Sequence, residues 1–461
     1  MRFVDLFAGL GGFHVALRRL GHECVFASEI DDELRELYCQ NFPETASRTV
    51  GDIRKHRDKV PAHDILCAGF PCQPFSKSGY QLGLHDKTRG TLFDEILYIL
   101  EKRRPEYVIL ENVGNFERHD KGRTWQVVRE SLERLGYDVR GTEHVTSGGS
   151  GLLSPHHLGF PHSRERFYII AYQDKLPANP FPVGNRSCAT SLGDIVQRRC
   201  KLSEKDKAET SLTRTQRECI EHWNSLLSKL PEDKVSLPSF PIWGDELDAS
   251  YPFEHYTPYA APLKELRKCL NGDVSKTYVS RLELLSLLPS YARLEVEHFP
   301  DWKITFIRQN RDWFREHRKY FSKRWIEKLR SFPPSLRKLE WNCKGEERNL
   351  WKHVLQFRPS GLRVKRYSTS PSLVAMTSTQ IPILGPEQRF LTKTEGLRLQ
   401  GFADSHRLPE SRIKAFKALG NAVHVGVVEA IAKHLLEPEQ STIALAAQSR
   451  QLVQPSLPFQ G

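Results

Sequence analysis

The chain has no apolar run that approaches the roughly 20 residues needed to cross a membrane, and its N-terminus enters a strand pattern directly, so we expect no signal peptide. It also lacks a Cys-x-x-Cys pair, and its nine cysteines are an odd number. These features argue against a membrane protein, a disulfide framework and a zinc site. We therefore expect a cytoplasmic, metal-free protein, and 461 residues are enough for two or three domains.

Positive charge is concentrated in one window. Residues 301–370 hold 19 Lys or Arg and 7 Asp or Glu, and this excess of 12 equals the net charge of the whole chain. Five of the eight tryptophans lie in the same window. A charge run can be a solvated face, and most of these aromatics can be core residues. Their interleaving nevertheless favours a nucleic-acid surface. Residues 308–329 are predicted to form one basic amphipathic helix.

The start of the chain has the pattern of a nucleotide-cofactor site. Two strand-like stretches, residues 2–6 and 24–28, flank a glycine-rich turn with Gly9 and Gly11 and a helical segment, and Glu29 follows the second strand. This order is typical of the cofactor half of a doubly wound α/β sheet. The glycines let a cofactor approach the backbone, and Glu29 can accept from ribose hydroxyls. The turn alone would equally suit a nicotinamide cofactor.

Two candidate chemical groups follow apolar strands further along the chain. Residues 65–68 lead into Gly-Phe-Pro-Cys-Gln-Pro-Phe-Ser, where prolines on both sides of Cys72 exclude regular structure. A cysteine is most often a small buried hydrophobe, but this one lies where parallel sheets build active sites. Glu111 follows the strand 107–110. It could be a solvated turn residue, but we expect it at the same sheet edge as Cys72.

These stretches together resemble the DNA (cytosine-5)-methyltransferases. At least six elements occur in the family's order across about residues 1–172 and 361–436, among them Phe-Ala-Gly-Leu-Gly-Gly, the Cys72 loop, Glu-Asn-Val and Gly-Asn-Ala-Val. One element departs from the family's Gln-x-Arg-x-Arg. His162 replaces its glutamine and receives no role, whereas Arg164 and Arg166 are both present. An Arg-Glu-Arg run without this context would be a surface ion-pair cluster.

The resemblance implies a reaction and a set of residues. Cys72 would attack carbon 6 of a cytosine flipped out of double-stranded DNA. Glu111 would donate a proton at nitrogen 3, and Arg164 and Arg166 would hold the exocyclic oxygen. S-adenosyl-L-methionine is the implied methyl donor, and no metal is implied. The implied cofactor pocket comprises Phe7, Gly9, Gly11, Glu29, Ile30, Asp52, Ile53, Asn421 and Val423.

Two of these residues need a further comment. By resemblance Asp52 hydrogen-bonds the adenine amino group and Ile53 packs on the adenine ring. From the residues alone, Asp52 could equally be a helix cap.

The resemblance also implies a domain order. Residues 1–174 would form a Rossmann-like S-adenosylmethionine-dependent methyltransferase domain, and residues 175–400 a smaller target-recognition domain. Residues 401–436 would return to the first domain, and residues 437–461 would be a flexible tail. We expect a monomer that protects a specific DNA sequence from a restriction endonuclease, although a solitary methyltransferase would look the same. The alternatives are a tRNA (cytosine-5)-methyltransferase of the same fold and an inactive DNA-binding relative.

Overall fold

A computed structural model describes residues 1–70, 91–142, 152–177, 180–182, 190–270, 280–375 and 380–437. Two predictions fall outside these ranges: the nucleophile Cys72 and the flexible tail, apart from its first residue. The described chain forms two compact units. The first contains residues 1–197, 368–378 and 392–461, and the second contains residues 198–367 and 379–391.

The border between the units differs from the predicted one at residue 175. The backbone N–H of Leu192 donates to the carbonyl of Ser368 over 3.1 Å, and the N–H of Gln197 donates to the Glu395 carboxylate over 2.7 Å. These bonds tie residues 190–197 to the first unit. Residues 392–400 also belong to the first unit rather than to the smaller one, because their partners lie there.

The described residues contain short and long strands. In chain order they are β1 (Arg2–Leu6), β2 (Glu23–Ser28), β3 (Thr49–Val50), β4 (Ile65–Gly69), β5 (Tyr107–Val113), β6 (Asp138–Gly141), β7 (His162–Ser163), β8 (Arg166–Tyr172), β9 (Ile242–Trp243), β10 (Lys338–Asn342), β11 (Val354–Arg358), β12 (Gly361–Lys365), β13 (Ser370–Pro371), β14 (Ile383–Leu384) and β15 (Arg389–Phe390).

Helices connect most of these strands. In chain order they are α1 (Gly12–Arg19), α2 (Asp32–Asn41), α3 (Leu92–Arg103), α4 (Arg123–Arg134), α5 (Leu192–Ile195), α6 (Glu204–Thr210), α7 (Arg214–Leu227), α8 (Leu263–Cys269), α9 (Arg281–Ser286), α10 (Asp301–Glu316), α11 (Lys323–Arg330), α12 (Lys393–Leu399), α13 (Arg412–Asn421) and α14 (Val425–Leu436).

A seven-stranded sheet forms the centre of the first unit. Its strand order is β3-β2-β1-β4-β5-β8-β6. The first five strands of this order run parallel, and β8 is antiparallel to both of its neighbours. The strand order reverses between β1 and β4, and in doubly wound sheets ligands bind outside the carboxyl ends of the strands at such a point. The predicted Rossmann-like α/β fold is confirmed.

The register of this sheet places its functional strand ends at one level. Leu6 of β1 pairs with both Ser28 of β2 and Ala68 of β4, and Gly69 pairs with Glu111 of β5. The central residues of β1, β2, β4 and β5 are buried and mostly apolar, as expected for parallel strands covered by helices; Asp5 in β1 is a buried acid. The residues that follow β1, β2, β4 and β5 therefore share one edge of the sheet.

The C-terminal segment packs into the same unit. A Cβ added to Gly12 in α1 would lie 2.5 Å from Val423, so only glycine permits this close approach. Residues Arg412–Leu436 are long and apolar enough to cross a membrane by length and composition alone, but 78% of an apolar 18-residue stretch within them is buried inside the protein. The segment is also divided at Ala422 into α13 and α14. It is therefore a core element of the first unit.

The second unit has its own sheet and core. Its six strands lie in the order β15-β14-β11-β12-β10-β9. The predicted single helix over residues 308–329 is wrong. The structure has α10 and α11 with a short 3₁₀ turn at Arg318–Tyr320 between them, because the Ser322 side chain caps α11 by accepting from the N–H of Trp325 over 3.2 Å.

Candidate active site

A cavity of about 830 Å³ opens at the shared strand edge of the first unit. Its walls come from the glycine turn after β1, the ends of β2, β4 and β5, the start of β8, and α13 with the residues after it. Of the predicted site residues, it is lined by Phe7, Gly9, Glu29, Ile30, Glu111, Arg164, Arg166, Asn421 and Val423. The structure thus brings together residues that lie more than 400 positions apart in the chain.

The glycine turn owes its shape to left-handed backbone conformations. Phe7, Gly9 and Gly11 have φ values of 56°, 52° and 77°. A Cβ added to Gly9 would meet no protein atom within 4 Å, whereas a Cβ on Gly11 would lie 2.4 Å from the Phe42 ring. Gly9 therefore leaves open space beside the cavity. Gly11, which does not line it, is required by packing.

Glu29 connects the turn to the next helix. Its side chain accepts from the N–H of Gly9 over 2.8 Å and from the N–H of Asp31 over 2.9 Å. Burial raises the pKa of this carboxyl group. The neighbouring Ile30 is 63% exposed although it is a large apolar side chain lining the cavity. An exposed apolar side chain at this place suits contact with a flat apolar part of a ligand.

Asp52 and Ile53 do not line this cavity. The Asp52 carboxylate accepts two hydrogen bonds from Arg54 Nε, at 2.9 and 3.0 Å, and one from the Arg54 backbone N–H. These bonds lower the pKa of Asp52. Asp52 is thus the cap of a short 3₁₀ turn, which is the alternative that the sequence left open. Ile53 is buried in the core of the sheet. Their predicted contacts with adenine stay predictions.

Glu111 and Arg166 form an ion pair on the cavity wall. Arg166 Nε lies 3.0 Å from Glu111 Oε1, and both side chains are largely buried. The N–H does not point at this oxygen, so Oε1 makes no hydrogen bond among the described residues. A Cβ on Gly69 would lie 3.6 Å from the other carboxylate oxygen. A buried acid with an available oxygen therefore stands beside the end of β4, the strand that leads to Cys72.

Asn112 is a site residue that the sequence analysis did not assign. Its side chain is buried, and its Nδ2 donates to the carbonyl of Phe70 over 2.9 Å. This bond fixes the backbone two residues before Cys72. The only sequence signal was its position directly after Glu111 at a strand end.

Arg164 differs from Arg166 although only one residue separates them. It is almost completely buried, and its guanidinium donates to the carbonyls of Ala422 over 2.8 Å and of Leu373 over 3.4 Å. Burial, with the neighbouring charge of Arg166, lowers the pKa of Arg164 to about 9, so the group is still protonated at neutral pH. Arg164 thus holds the backbone at Leu373 and Ala422 beside the cavity. Its predicted contact with the cytosine oxygen stays a prediction.

His162 packs in the same interior. Its ring lies 6.1 Å from that of His424, which caps α14 by accepting from the N–H of Val427 over 3.3 Å. Burial lowers the pKa of His162 well below its usual range, and it lowers the pKa of His424 to about 3. Both imidazoles are therefore neutral at physiological pH, and His162 fills the space between β13 and the C-terminal segment without adding a charge.

Comparison with known proteins agrees with this geometry. The model of the C-5 cytosine-specific DNA methylase family matches residues 1–259 and 264–437. The chain belongs to this family. The family, the fold and the DNA (cytosine-5)-methyltransferase activity predicted from the sequence are confirmed.

Two relatives show how far the similarity extends. The Type II methyltransferase M.AluI of Cellulosimicrobium cellulans is 33% identical across an alignment that covers 98% of this methyltransferase and 95% of the relative. The Type II methyltransferase M.HhaI of Haemophilus parahaemolyticus is 43% identical, but over only 39% of this chain and 52% of its own length. Similarity to M.AluI therefore includes the second unit, whereas the alignment with M.HhaI covers only part of the chain.

Proposed function

We propose that this methyltransferase takes its methyl group from S-adenosyl-L-methionine and transfers it to a cytosine flipped out of double-stranded DNA. We further propose that the modification protects a specific sequence from a partner restriction endonuclease, since the relatives M.AluI and M.HhaI are named Type II methyltransferases. The observation that carries the proposal is the cavity itself, which joins a cofactor-type glycine turn to the Glu111–Arg166 pair.

The residues of the cavity fit the proposed donor. Gly9 leaves room for a ligand next to the backbone, Glu29 lies at the end of β2 where ribose hydroxyls bind in such folds, and Ile30 offers an exposed apolar surface. A volume of about 830 Å³ is ample for a nucleoside with an amino-acid side arm. S-adenosylmethionine supplies an electrophilic methyl group when bound. Asn421 and Val423 would close the pocket from the C-terminal side.

Cys72 is the proposed nucleophile. It lies two residues after Phe70, which lines the cavity. Its thiolate would form a bond to carbon 6 of the cytosine, and this addition breaks the aromatic ring and makes carbon 5 nucleophilic. After carbon 5 has gained the methyl group, loss of its proton and release of the thiolate restore the ring. One proton leaves carbon 5 for each methyl group gained, and the donor would leave as the neutral thioether S-adenosylhomocysteine.

Glu111 and Arg166 are proposed to act on the pyrimidine ring. Negative charge moves to nitrogen 3 and the exocyclic oxygen when the thiolate adds to carbon 6. A proton donated by Glu111 to nitrogen 3 would neutralise this charge, and the Arg166 guanidinium would hold the oxygen. Arg166 Nε already lies 3.0 Å from Glu111, so the acid and the cation can contact adjacent atoms of one base.

The second unit is the proposed target-recognition region. Within the basic window, the exposed side chains of Arg324 and Lys344 have no hydrogen-bond or ion-pair partner in the part of the chain that the structure describes. Free surface cations of this kind bind phosphates and make affinity depend on salt. Extracting the target base costs a few kcal/mol, which protein–DNA contacts must repay. We expect a single copy of the chain to perform the whole cycle.

Duplexes of random sequence that contain 5-fluorocytosine test this function. Fluorine cannot leave carbon 5 as a proton does, so the enzyme should stay covalently attached to the methylated base. With S-adenosylmethionine present, we expect a complex that survives denaturant, and peptide mapping should place the adduct on Cys72. Sequencing the trapped duplexes would give the recognition sequence.

Two controls decide the interpretation of that experiment. Reactions without the donor, and reactions with Cys72→Ala, should give no stable complex. An adduct on another cysteine would contradict the assignment of the nucleophile. Trapping on fluorinated tRNA but not on DNA would contradict the proposed substrate.

A further inference from the structure

Helix α13 presents a polar stripe to the cavity of the first unit. Lys414, Lys417 and Asn421 all line the cavity, and their spacing of three and four residues places them on one face of the helix. The C-terminal end of this helix leads directly to Val423. A Cβ on Gly12 would lie 2.5 Å from Val423, and a Cβ on Gly69 would lie 3.7 Å from it. The stripe therefore leads towards the reacting end of the cavity.

The other cations that line the cavity in the described part of the chain are already engaged. Arg164 donates to two backbone carbonyls, and Arg166 is paired with Glu111 at 3.0 Å. Lys414 Nζ lies 2.6 Å from the Glu33 carboxylate on the opposite rim. Among the described residues that line the cavity, Lys417 is the one cation without a hydrogen bond or an ion pair.

The cavity is otherwise rich in acids. Five carboxylates line it: Glu29, Asp31, Asp32, Glu33 and Glu111. Glu33, Glu111 and Asp32 are paired with Lys414, Arg166 and Arg35, which leaves Glu29 and Asp31 without an ion pair among the described residues. At neutral pH the proposed donor carries a sulfonium, an ammonium and one carboxylate group. Acidic walls suit the two cationic groups, but they repel the carboxylate. This single anion of the donor matches the single uncommitted cation among the described residues that line the cavity.

We propose that Lys417 binds the carboxylate of the amino-acid part of the methyl donor. The assignment rests on S-adenosylmethionine being the donor, as proposed above. Lys417 precedes Asn421 by about one helical turn, or roughly 6 Å along the axis, so its ammonium group and the Asn421 side chain face the same ligand. Lys417 is thus a donor-binding residue that takes no part in the reaction on the cytosine.

Calorimetric titration with two nucleosides tests this assignment. S-adenosylhomocysteine carries the amino-acid part, and 5′-methylthioadenosine lacks it. We expect Lys417→Gln to weaken binding of S-adenosylhomocysteine about fivefold, as is typical of a partly exposed ion pair, and to leave binding of 5′-methylthioadenosine unchanged. Lys417→Arg keeps the positive charge, so it should restore the difference in affinity between the two ligands. Lys433→Gln is the matched control, because Lys433 is an exposed lysine on α14 outside the cavity.

Each other outcome contradicts the assignment and indicates a different role for Lys417 or a different donor. Equal weakening of both nucleosides would show that Lys417 acts on the adenosine part or on the fold. Unchanged binding of both, with reduced affinity for DNA, would assign Lys417 to a phosphate of the substrate. If the unmodified protein bound neither nucleoside, the proposed donor would itself be wrong, and the assignment of Lys417 would fall with it.

Discussion

The two units of this methyltransferase use their charged residues differently. In the first unit, charges around the cavity hold defined backbone atoms, as Glu29 holds the N–H groups of Gly9 and Asp31. In the second unit, much of the basic window is neutralised inside the unit, and Arg308, for example, lies 3.2 Å from Glu254. Motif positions therefore indicate the roles of single residues in the first unit. In the second unit, net charge indicates only the class of partner.

Arg311 shows why a charge count does not identify a DNA-binding surface. It belongs to the basic window, yet it is 8% exposed and its Nε lies 3.0 Å from the fully buried Glu246. Tyr251 and Tyr291 also donate to this carboxylate. Arg311 thus stabilises the core of the second unit, whereas Arg324, also in the window, is exposed and has no partner among the described residues.

The largest effect should come from Cys72, the proposed nucleophile of the first unit. Cys72→Ala should lower methylation of DNA by about 10⁴-fold or more, since no other group can form the covalent bond. Binding of S-adenosylhomocysteine should persist. Single-turnover transfer of a labelled methyl group measures this, with Cys200→Ala in the second unit as the matched control. Substantial activity in Cys72→Ala would rule out a mechanism that forms a covalent bond through Cys72.

Glu111→Gln should cause the next largest loss, about 10²- to 10⁴-fold in the rate of transfer, because an amide cannot donate a proton to nitrogen 3. The protein should stay folded, since glutamine has the same size. Glu106→Gln, an exposed residue just before the same strand, is the control and should retain full activity. Equal rates for the two variants would show that Glu111 only balances the charge of Arg166.

Variants of Arg164 and Arg166 distinguish an arginine that stabilises the first unit from one that acts on the cytosine. Arg164→Met should lower the free energy of unfolding by about 2 kcal/mol, because two buried carbonyls lose their donor. Arg166→Lys keeps a cation beside Glu111, so it should leave stability nearly unchanged and lower the transfer rate, because an ammonium cannot hold the oxygen as a guanidinium does. Chemical denaturation and single-turnover kinetics on both variants separate these effects. A stable, inactive Arg164→Met would instead assign Arg164 to the cytosine.

A matched pair of variants tests the second unit. Arg311→Leu should cost about 3 kcal/mol of unfolding free energy by leaving Glu246 buried without its partner. Arg324→Ala should leave stability unchanged and reduce the slope of log affinity against log salt by about one. Fluorescence anisotropy with duplex DNA over a range of salt concentrations measures the slope. A flat salt dependence in the unmodified protein would contradict a phosphate-binding role for the basic window.

Much of the site could be predicted because parallel strands end at a common edge. Apolar runs located β1, β2, β4 and β5, so Gly9, Glu29 and Glu111 had to meet. The prediction that Val423 belongs to the pocket depended on the family resemblance, since no local pattern connects residue 423 with the start of the chain.

Other features had no local signal. The hydrogen bonds of Arg164 reach carbonyls more than 200 residues away, and an Arg-Glu-Arg run does not indicate which arginine is buried. The predicted helix over residues 308–329 failed because apolar residues continue at helical spacing across the cap at Ser322. The border of the second unit was missed because bonds from residues 190–197 to distant segments, rather than composition, determine it.

The central claim is tested most directly in a bacterial host that lacks cytosine methylation. The chain and its Cys72→Ala variant would be expressed to equal soluble levels, and the DNA of both hosts sequenced at base resolution for 5-methylcytosine. We expect one short sequence to be methylated throughout the genome of the first host and unmodified in the second. Unmodified DNA in both hosts, from folded protein, would contradict a DNA (cytosine-5)-methyltransferase that acts through Cys72.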